Sequence, residues 1–296
     1  MKMHFTKMHG LGNDFILMNC IEQACPPADE GFEELSKRLC NRRFGIGADQ
    51  ILLLYPSSIA DFRMKIFNAD GGEVEMCGNG IRCLAKYIWD RNLSDKDVLH
   101  IETLAGIIKP ERSGDMVRVD MGEPVFEPEK IPVDMSLMSG VQRLKEKDSD
   151  LKSQISNLVL DYPLQADDRE FRITCVSMGN PHAVIVVGDV SLFPVTHYGP
   201  IIESHPFFPK KTNVEFIEVL SRKEIKMRVW ERGSGETTAC GTGASAAAVA
   251  ANIKDLTDRN VTVRLLGGDL SIEWASNSRV YMTGPATEVF EGAMEI

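Results

Sequence analysis

Two short stretches of this 296-residue chain, "EMCGNGIRC" (75–83) and "TACGTGASA" (238–246), each set a cysteine directly before Gly-x-Gly and then run into a helical segment. A cysteine at a helix start sits where unpaired N–H groups and the positive end of the helix dipole converge. That setting favours thiolate and lowers the thiol pKa from its free value of roughly 8.5. The glycines let the backbone approach an anion and aim its amides at it. One such site would serve as a nucleophile or an anion cradle. Two facing sites would put an acid/base thiol on each side of one carbon, which suits inversion of a stereocentre. One thiolate removes the α-proton, and the opposite thiol returns a proton to the other face. The helix-end amides would hold the substrate carboxylate and the enediolate-like charge that develops. No lysine lies in a recognisable pyridoxal-phosphate setting, so no cofactor is expected.

The elements that must position these thiols come in two sets. Cys77 and Cys240 are 163 positions apart, and at that offset "RMKIFNADGGEVEMCGNG" (63–80) lies over "KMRVWERGSGETTACGTG" (226–243). Gln50 falls on Asn213 at the same offset, and "LGNDFIL" (11–17) on "MGNPHAV" (178–184) at 167. A period this long implies duplicated domains rather than a solenoid. Each half reads as a Gly-Asn turn, a strand, an amide-bearing strand, a further strand, Cys-Gly-x-Gly and a helix. Ile81, Leu84, Ala85 and Ile88 give the first helix one apolar face. The second, "ASAAAVAANI", is small on nearly every face and must pack very close to another element, its counterpart helix being one candidate.

The expected fold is α+β: two similar domains, each a curved, mostly antiparallel sheet around a central helix, with the active site in the cleft between them. The halves are 1–122 and 123–285, and 286–296 is a tail that returns to the first half. Residues 141–165 have no counterpart and read as an exposed helix or mobile insertion. Glu73 and Glu236, four residues before each cysteine, read as architectural, for example as helix caps.

Composition narrows the classes. Apolar residues make up 43% and charged residues 26%, as in globular proteins. A net charge of −10 argues against a nucleic-acid partner. No apolar run approaches the roughly 18 residues of a membrane span, and the N-terminus lacks a signal-like stretch, so a cytoplasmic location is expected. Seven cysteines, an odd count, argue against a disulfide framework. Without C-x-x-C, zinc is poorly supported. Cys20, Cys25, Cys40, Cys83 and Cys175 read as small buried apolar side chains.

"MHGLGNDF", "NADGGEVEMCGNGIRC", "GNPH", "TNVEF" and "ERGSGETTACGTGA" closely resemble the diaminopimelate epimerases, from Lys7 to about Pro285, with 141–165 the main unmatched stretch. The resemblance implies a cofactor-independent homodimer that converts LL-2,6-diaminopimelate to the meso form for lysine and peptidoglycan synthesis. By position it makes Cys77 and Cys240 the catalytic pair, and His182 and Glu231 the groups that tune the thiols. It assigns substrate contacts to Asn13, Gln50, Asn68, Asn180, Asn213, Glu231 and Arg232. Gly78-Asn79 and Gly241-Thr242 match its helix-end carboxylate cradle. The chemistry agrees, since a substrate with two amino-acid ends needs a guanidinium, a carboxylate and many neutral amides. Two alternatives stand beside this reading. One is a two-cysteine proline or hydroxyproline racemase; the other is a thiol–disulfide redox or binding protein using Cys77 and Cys240 as a reversible pair.

Overall fold

The computed structural model describes residues 2–25, 31–137 and 158–295. The chain forms two compact units, Met1–Asp120 with Thr283–Ile296, and Met121–Met282. In the first, β1 (Lys2–Gly10) and β2 (Asn13–Asn19) precede α1 (Phe32–Cys40), β3 (Gln50–Tyr55) and β4 (Phe62–Asn68). Helix α2 (Gly78–Asp90), β5 (Ile101–Thr103), β6 (Gly106–Ile108), β7 (Glu111–Ser113) and β8 (Met116–Asp120) follow. Strands β1 to β6 lie side by side in chain order. Their successive pairings are antiparallel, parallel, antiparallel, parallel and antiparallel.

The second unit repeats that plan. It holds β9 (Tyr162–Ala166), β10 (Arg169–Ser177), β11 (Pro181–Val186), α3 (Val195–Glu203), β12 (Asn213–Ser221) and β13 (Glu224–Glu231). Then come β14 (Gly235–Thr237), α4 (Gly241–Ile253), β15 (Asn260–Leu265), β16 (Gly268–Trp274) and β17 (Val280–Gly284), whose last two residues fall in the first unit. From β10 through β11, β12, β13 and β15 to β16 the pairings again alternate antiparallel and parallel in the same sequence. The duplication holds to the residue: β2 and β3 pair Phe15 with Gln50, and β11 and β12 pair His182 with Asn213. Finally β18 (Thr287–Glu295) runs antiparallel to β1 at the edge of the first sheet.

Each parallel step needs a crossover, and the helices supply them: α1 and α2 in the first unit, α3 and α4 in the second. Ile81, Leu84, Ala85 and Ile88 of α2 are completely buried, and burying each large apolar side chain stabilises by roughly 1.5–3 kcal/mol. Helix α4 lies against strands of its own unit, β10 to β13, β15 and β16. Six of its alanines are buried, and their lack of bulk allows that close approach.

Three expectations need correction. Glu73 and Glu236 do not cap helices; they pair with Lys65 at 3.5 Å and Arg228 at 2.7 Å, cations on the strand before each turn. Cys77 and Cys240 occupy the N-cap positions themselves. Cys20 and Cys25 are joined in a disulfide, because the turn after β2 brings their Cα atoms to 5.4 Å, within bridging range. Residues 158–165 at the end of the 141–165 stretch include the start of β9, which pairs with β10 as ordinary sheet; residues 141–157 lie outside the described residues. Cys40, Cys83 and Cys175 are free and buried, and burial pushes the Cys40 and Cys83 thiols up to about 12.

Gly199 in α3 reports on packing within the second unit. A Cβ there would come within 2.6 Å of the Trp230 ring, whose Nε1 donates to Glu203 Oε2 at 2.8 Å. Alanine is the better helix former by about 1 kcal/mol, but overpacking against an anchored ring costs about 1–3 kcal/mol. Gly199→Ala is expected to lower Tm by a few degrees; an unchanged or higher Tm in calorimetry would show that Trp230 yields freely.

Candidate active site

In the first unit the site grows from the start of α2. Cys77 has extended backbone, and its Sγ accepts from the Gly80 N–H at 3.4 Å, as an N-cap side chain does. The Cys77 thiol also lies 3.8 Å from Asn13 Oδ1, which accepts from Asn79 Nδ2 at 3.2 Å. Asn13 opens β2 directly after the turn at Leu11 and Gly12, both with positive φ. Its Nδ2 donates to Asp49 Oδ2 at 2.9 Å. Next to Asp49, Gln50 begins β3 and donates through Nε2 to Asn68 Oδ1 at 2.7 Å, across the β3–β4 pair. Under the helix start, Arg82 is completely buried and donates to Asn79 Oδ1 at 3.0 Å.

The second unit presents the same device with different lining. Cys240 caps α4, and its Sγ accepts from the Gly243 N–H at 3.4 Å and sits 3.5 Å from Thr242 Oγ1. Asn180 Nδ2 donates to Thr242 Oγ1 at 3.3 Å, and Asn180 Oδ1 lies 2.9 Å from His182 Nε2. On its other side, His182 Nδ1 is 2.7 Å from Glu215 Oε1, and both residues are fully buried. Asn213 Nδ2 donates to the Pro181 carbonyl at 2.8 Å, and its Oδ1 accepts from the Arg232 N–H at 2.9 Å. Those bonds fix the amide and leave it one N–H and one lone pair for a ligand. The Arg232 side chain is exposed, and Glu231 accepts from the Thr237 hydroxyl.

Electrostatics differ between these groups. The expected lowering of the thiol pKa at a helix start does not hold for Cys240: burial pushes its thiol well up and the charges of Glu231 and Glu215 add to that, while bonds from Thr242 and the Gly243 N–H oppose it. Burial also raises the Glu231 carboxyl, against hydrogen bonds to Thr237 and Cys240. A ligand bringing an ammonium to Glu231 would relieve it.

Around Cys77 the structure thus gathers Asn13, Gly78 and Asn79, with the Gln50–Asn68 pair reached through Asp49. Around Cys240 it gathers Asn180, His182, Gly241 and Thr242, while Asn213 anchors the backbone of Arg232. Sequence reasoning did not single out Arg82, Asp49 or Glu215. For Glu215 a signal exists: it lies inside an apolar strand at the position whose duplicate is Leu52, so it had to point inward. Arg82 carries a similar mark, a cation between Ile81 and Cys83 of a buried helix face.

Comparisons with known proteins show the family and the fold. The family described as Diaminopimelate epimerase matches residues 5–127 and 174–289. The chain is 53% identical to a diaminopimelate epimerase from Moorella thermoacetica, over 98% of both chains. At low identity the fold is shared with two solved structures. A PhzF-family phenazine biosynthesis protein from Bacillus anthracis has a TM-score of 0.70 at 17% identity, over 100% of both chains. A hydroxyproline epimerase from Agrobacterium vitis has a TM-score of 0.67 at 16% identity, over 99% of this chain and 91% of that one.

The loop that carries Asn13 is held by Asp14. Its carboxylate accepts from Lys7 Nζ at 2.7 Å and from both Arg42 terminal nitrogens, at 2.9 and 2.7 Å. Burial alone would raise this carboxyl, but Arg42 and Lys7 hold it well below the usual carboxylate range. A depressed carboxyl stabilises the fold above its unfolded pKa of about 4, and that contribution fades as pH falls toward the folded value. Asp14→Asn is expected to cost about 1–2 kcal/mol near neutral pH, allowing for the solvent around Arg42. In urea titrations the gap to the unsubstituted protein should narrow below about pH 4; a gap independent of pH would refute the charge-based account.

Proposed function

The chain belongs to the diaminopimelate epimerase family, and we propose on that premise that Cys77 and Cys240 are the two proton-transfer groups of a two-base epimerisation. It is an epimerase that acts without pyridoxal phosphate, interconverting LL- and meso-diaminopimelate in lysine biosynthesis. Supply of the meso form to peptidoglycan precursors belongs to the same proposal. The observation that carries the mechanism is the repeated cap: in each unit a cysteine sulfur accepts from the third N–H of its helix, at 3.4 Å in both.

In this reading one thiolate removes the α-proton and the thiol of the other half delivers a proton to the opposite face, and the two exchange roles in the reverse direction. The N–H groups of Gly78 and Asn79 and of Gly241 and Thr242 hold the reacting carboxylate and the negative charge that develops on it. Asn13, Gln50, Asn68, Asn180 and Asn213 orient the substrate without titrating near neutral pH. Arg232 takes the distal carboxylate and Glu231 an ammonium, so recognition of the remote end aligns the reacting carbon. His182 acts on Cys240 through Asn180 and Thr242. The active site is proposed to combine the two half-sites around one substrate molecule. No described helix is long and apolar enough to cross a membrane; a cytoplasmic location is part of the proposal.

The test is solvent exchange. In deuterated water the native protein is expected to place deuterium at the α-carbon of LL-diaminopimelate, and Cys77→Ala and Cys240→Ala each to abolish turnover with the fold intact by circular dichroism. Near-native turnover in either variant under reducing conditions would remove the two-base mechanism. Comparable kcat/KM for proline would move the assignment to a proline-type racemase.

We also propose a homodimer built on the β18 edge. That strand has a sheet partner on the β1 side, and its Val289 and Phe290 are 55% and 48% exposed. An exposed edge that carries such apolar side chains offers unpaired backbone groups and apolar area to a second copy. Phe290→Lys is expected to shift the protein from dimer to monomer in analytical ultracentrifugation. A native protein that sediments as a monomer would end this proposal.

A further inference from the structure

The half-site under Cys240 contains a carboxylate to which the proposed proton transfers assign no part. Glu215 on β12 is fully buried beside His182 on β11. Among the described residues its Oε2 has no hydrogen-bond partner. A Cβ on Gly243 would come within 2.7 Å of Glu215 Oε1, so glycine there lets the start of α4 rest directly on the carboxylate. An ionised carboxylate at such depth is costly unless a cation or a proton donor meets it, and the group it meets is His182.

The contacts outward from this pair run in one direction. His182 Nε2 faces Asn180 Oδ1 at 2.9 Å, and an amide oxygen only accepts, so Nε2 carries a proton. His182 Nδ1 faces Glu215 Oε1 at 2.7 Å, and a second proton lies between those atoms. Asn180 Nδ2 donates to Thr242 Oγ1 at 3.3 Å, which leaves the threonine O–H to point at Cys240 Sγ, 3.5 Å away. From the histidine outward every donor points toward the sulfur, the polarity that stabilises a thiolate.

We infer that Glu215 is a positioning residue: it keeps the second proton on His182 and thereby holds Asn180 and Thr242 in the orientation that donates a hydrogen bond to the Cys240 sulfur. The inference rests on the two-thiol reading above. The reversed chain is the alternative that the carboxylate opposes. With a neutral ring protonated only on Nδ1, Nε2 would need a donor. Asn180 would turn over to supply it, and its oxygen would then take the Thr242 hydrogen from the sulfur. A buried carboxylate is fully compensated only by the doubly protonated ring, whereas a glutamine is satisfied by either neutral ring, its oxygen accepting from Nδ1–H or its N–H donating to a bare Nδ1. The first reverses the chain and the second removes the ring's positive charge, so both weaken donation to the sulfur. The duplicate half lacks this device. Leu52 and Phe15 stand where Glu215 and His182 do, and a Cβ on Gly80 would meet them at 3.1 and 3.5 Å.

The groups that face Cys240 are Glu231 from β13, Glu215 from β12, His182 from β11 by way of Asn180, and Thr242 and the Gly243 N–H of α4. Glu215 acts on the sulfur in two opposed ways. Its charge disfavours thiolate directly, and its hold on His182 favours thiolate through the donor chain. The inference is that the second effect wins, since the Glu215–His182 pair is neutral as a whole.

The experiment follows thiolate formation by ultraviolet absorbance in a Cys77→Ser background, with and without Glu215→Gln. Burial pushes the Cys240 thiol up as it does Cys40, Cys83 and Cys175, so its signal is isolated by difference: the same titration of a Cys77→Ser/Cys240→Ser protein, which keeps the other thiols and the tyrosines, is subtracted. Glu215→Gln is expected to raise the midpoint by about one unit, a roughly tenfold smaller thiolate fraction. Glu215→Asp, which keeps the charge, should bring the midpoint back toward its original value and guards against a folding defect in the glutamine variant. With Cys77 restored, Glu215→Gln should lower kcat about tenfold and leave KM within about threefold. An unchanged or lowered midpoint overturns the inference whatever the activity. Absence of exchange with diaminopimelate would instead count against the proposed function and leave the titration result standing.

Discussion

A helix begins with N–H groups that have no partner inside the helix, and something must accept from them. In both halves of this protein the acceptor is a cysteine sulfur at the N-cap, bonded to the N–H three residues on. Most caps are oxygen side chains, which are fixed and do not exchange protons near neutral pH. A sulfur in that place is a structural acceptor and a titratable group at once. Much of the surrounding architecture follows from that double duty. The cysteine itself is extended, and glycines stand at the first and third positions of each helix.

Keeping a thiol at a helix start also sets what may lie beneath it. The glycine three residues after each cysteine brings the helix against the strands below: Leu52 and Phe15 under Gly80, Glu215 under Gly243. These positions correspond through the duplication, and the strand registers that hold them are the same. The first half meets its helix with hydrocarbon, and places its buried cation, Arg82, on the helix itself. The second half meets its helix with a buried histidine–carboxylate pair. Each arrangement gives its buried polar residues hydrogen-bond partners, as burial demands, except that Glu215 Oε2 has none among the described residues. The two copies therefore share a backbone plan and differ in which side of the helix start carries charge.

The polar side chains around each cap are also structural. Asn213 ties the start of β11 to the end of β13, Asn13 links the β1–β2 turn to Asp49, and the Gln50–Asn68 pair joins the ends of β3 and β4. Amides suit this because each offers donors and acceptors without a charge that burial would punish. Groups already fixed by the fold lose little further freedom when a ligand arrives, which is the physical content of preorganisation.

The α+β class, the duplication and the two cysteine-capped helices were legible in the chain alone, because they rest on local signals: period-two alternation, a period-3.6 apolar face, and a cysteine before Gly-x-Gly repeated 163 residues later. Local spacing says little about partners across strands. That Glu73 and Glu236 pair with Lys65 and Arg228 instead of capping helices depends on strands meeting in register. The Cys20–Cys25 bond depends on a turn that composition does not encode. Glu215 shows the division most clearly. Its duplicate, Leu52, marked the position as inward-facing, yet only the parallel pairing of β11 and β12 could bring it to His182, 33 positions earlier in the chain. Sequence determined which residue types were available at each helix start. The tertiary structure decided which of them meet, because hydrogen bonds and ion pairs form over distances of a few ångströms that only the folded sheet sets.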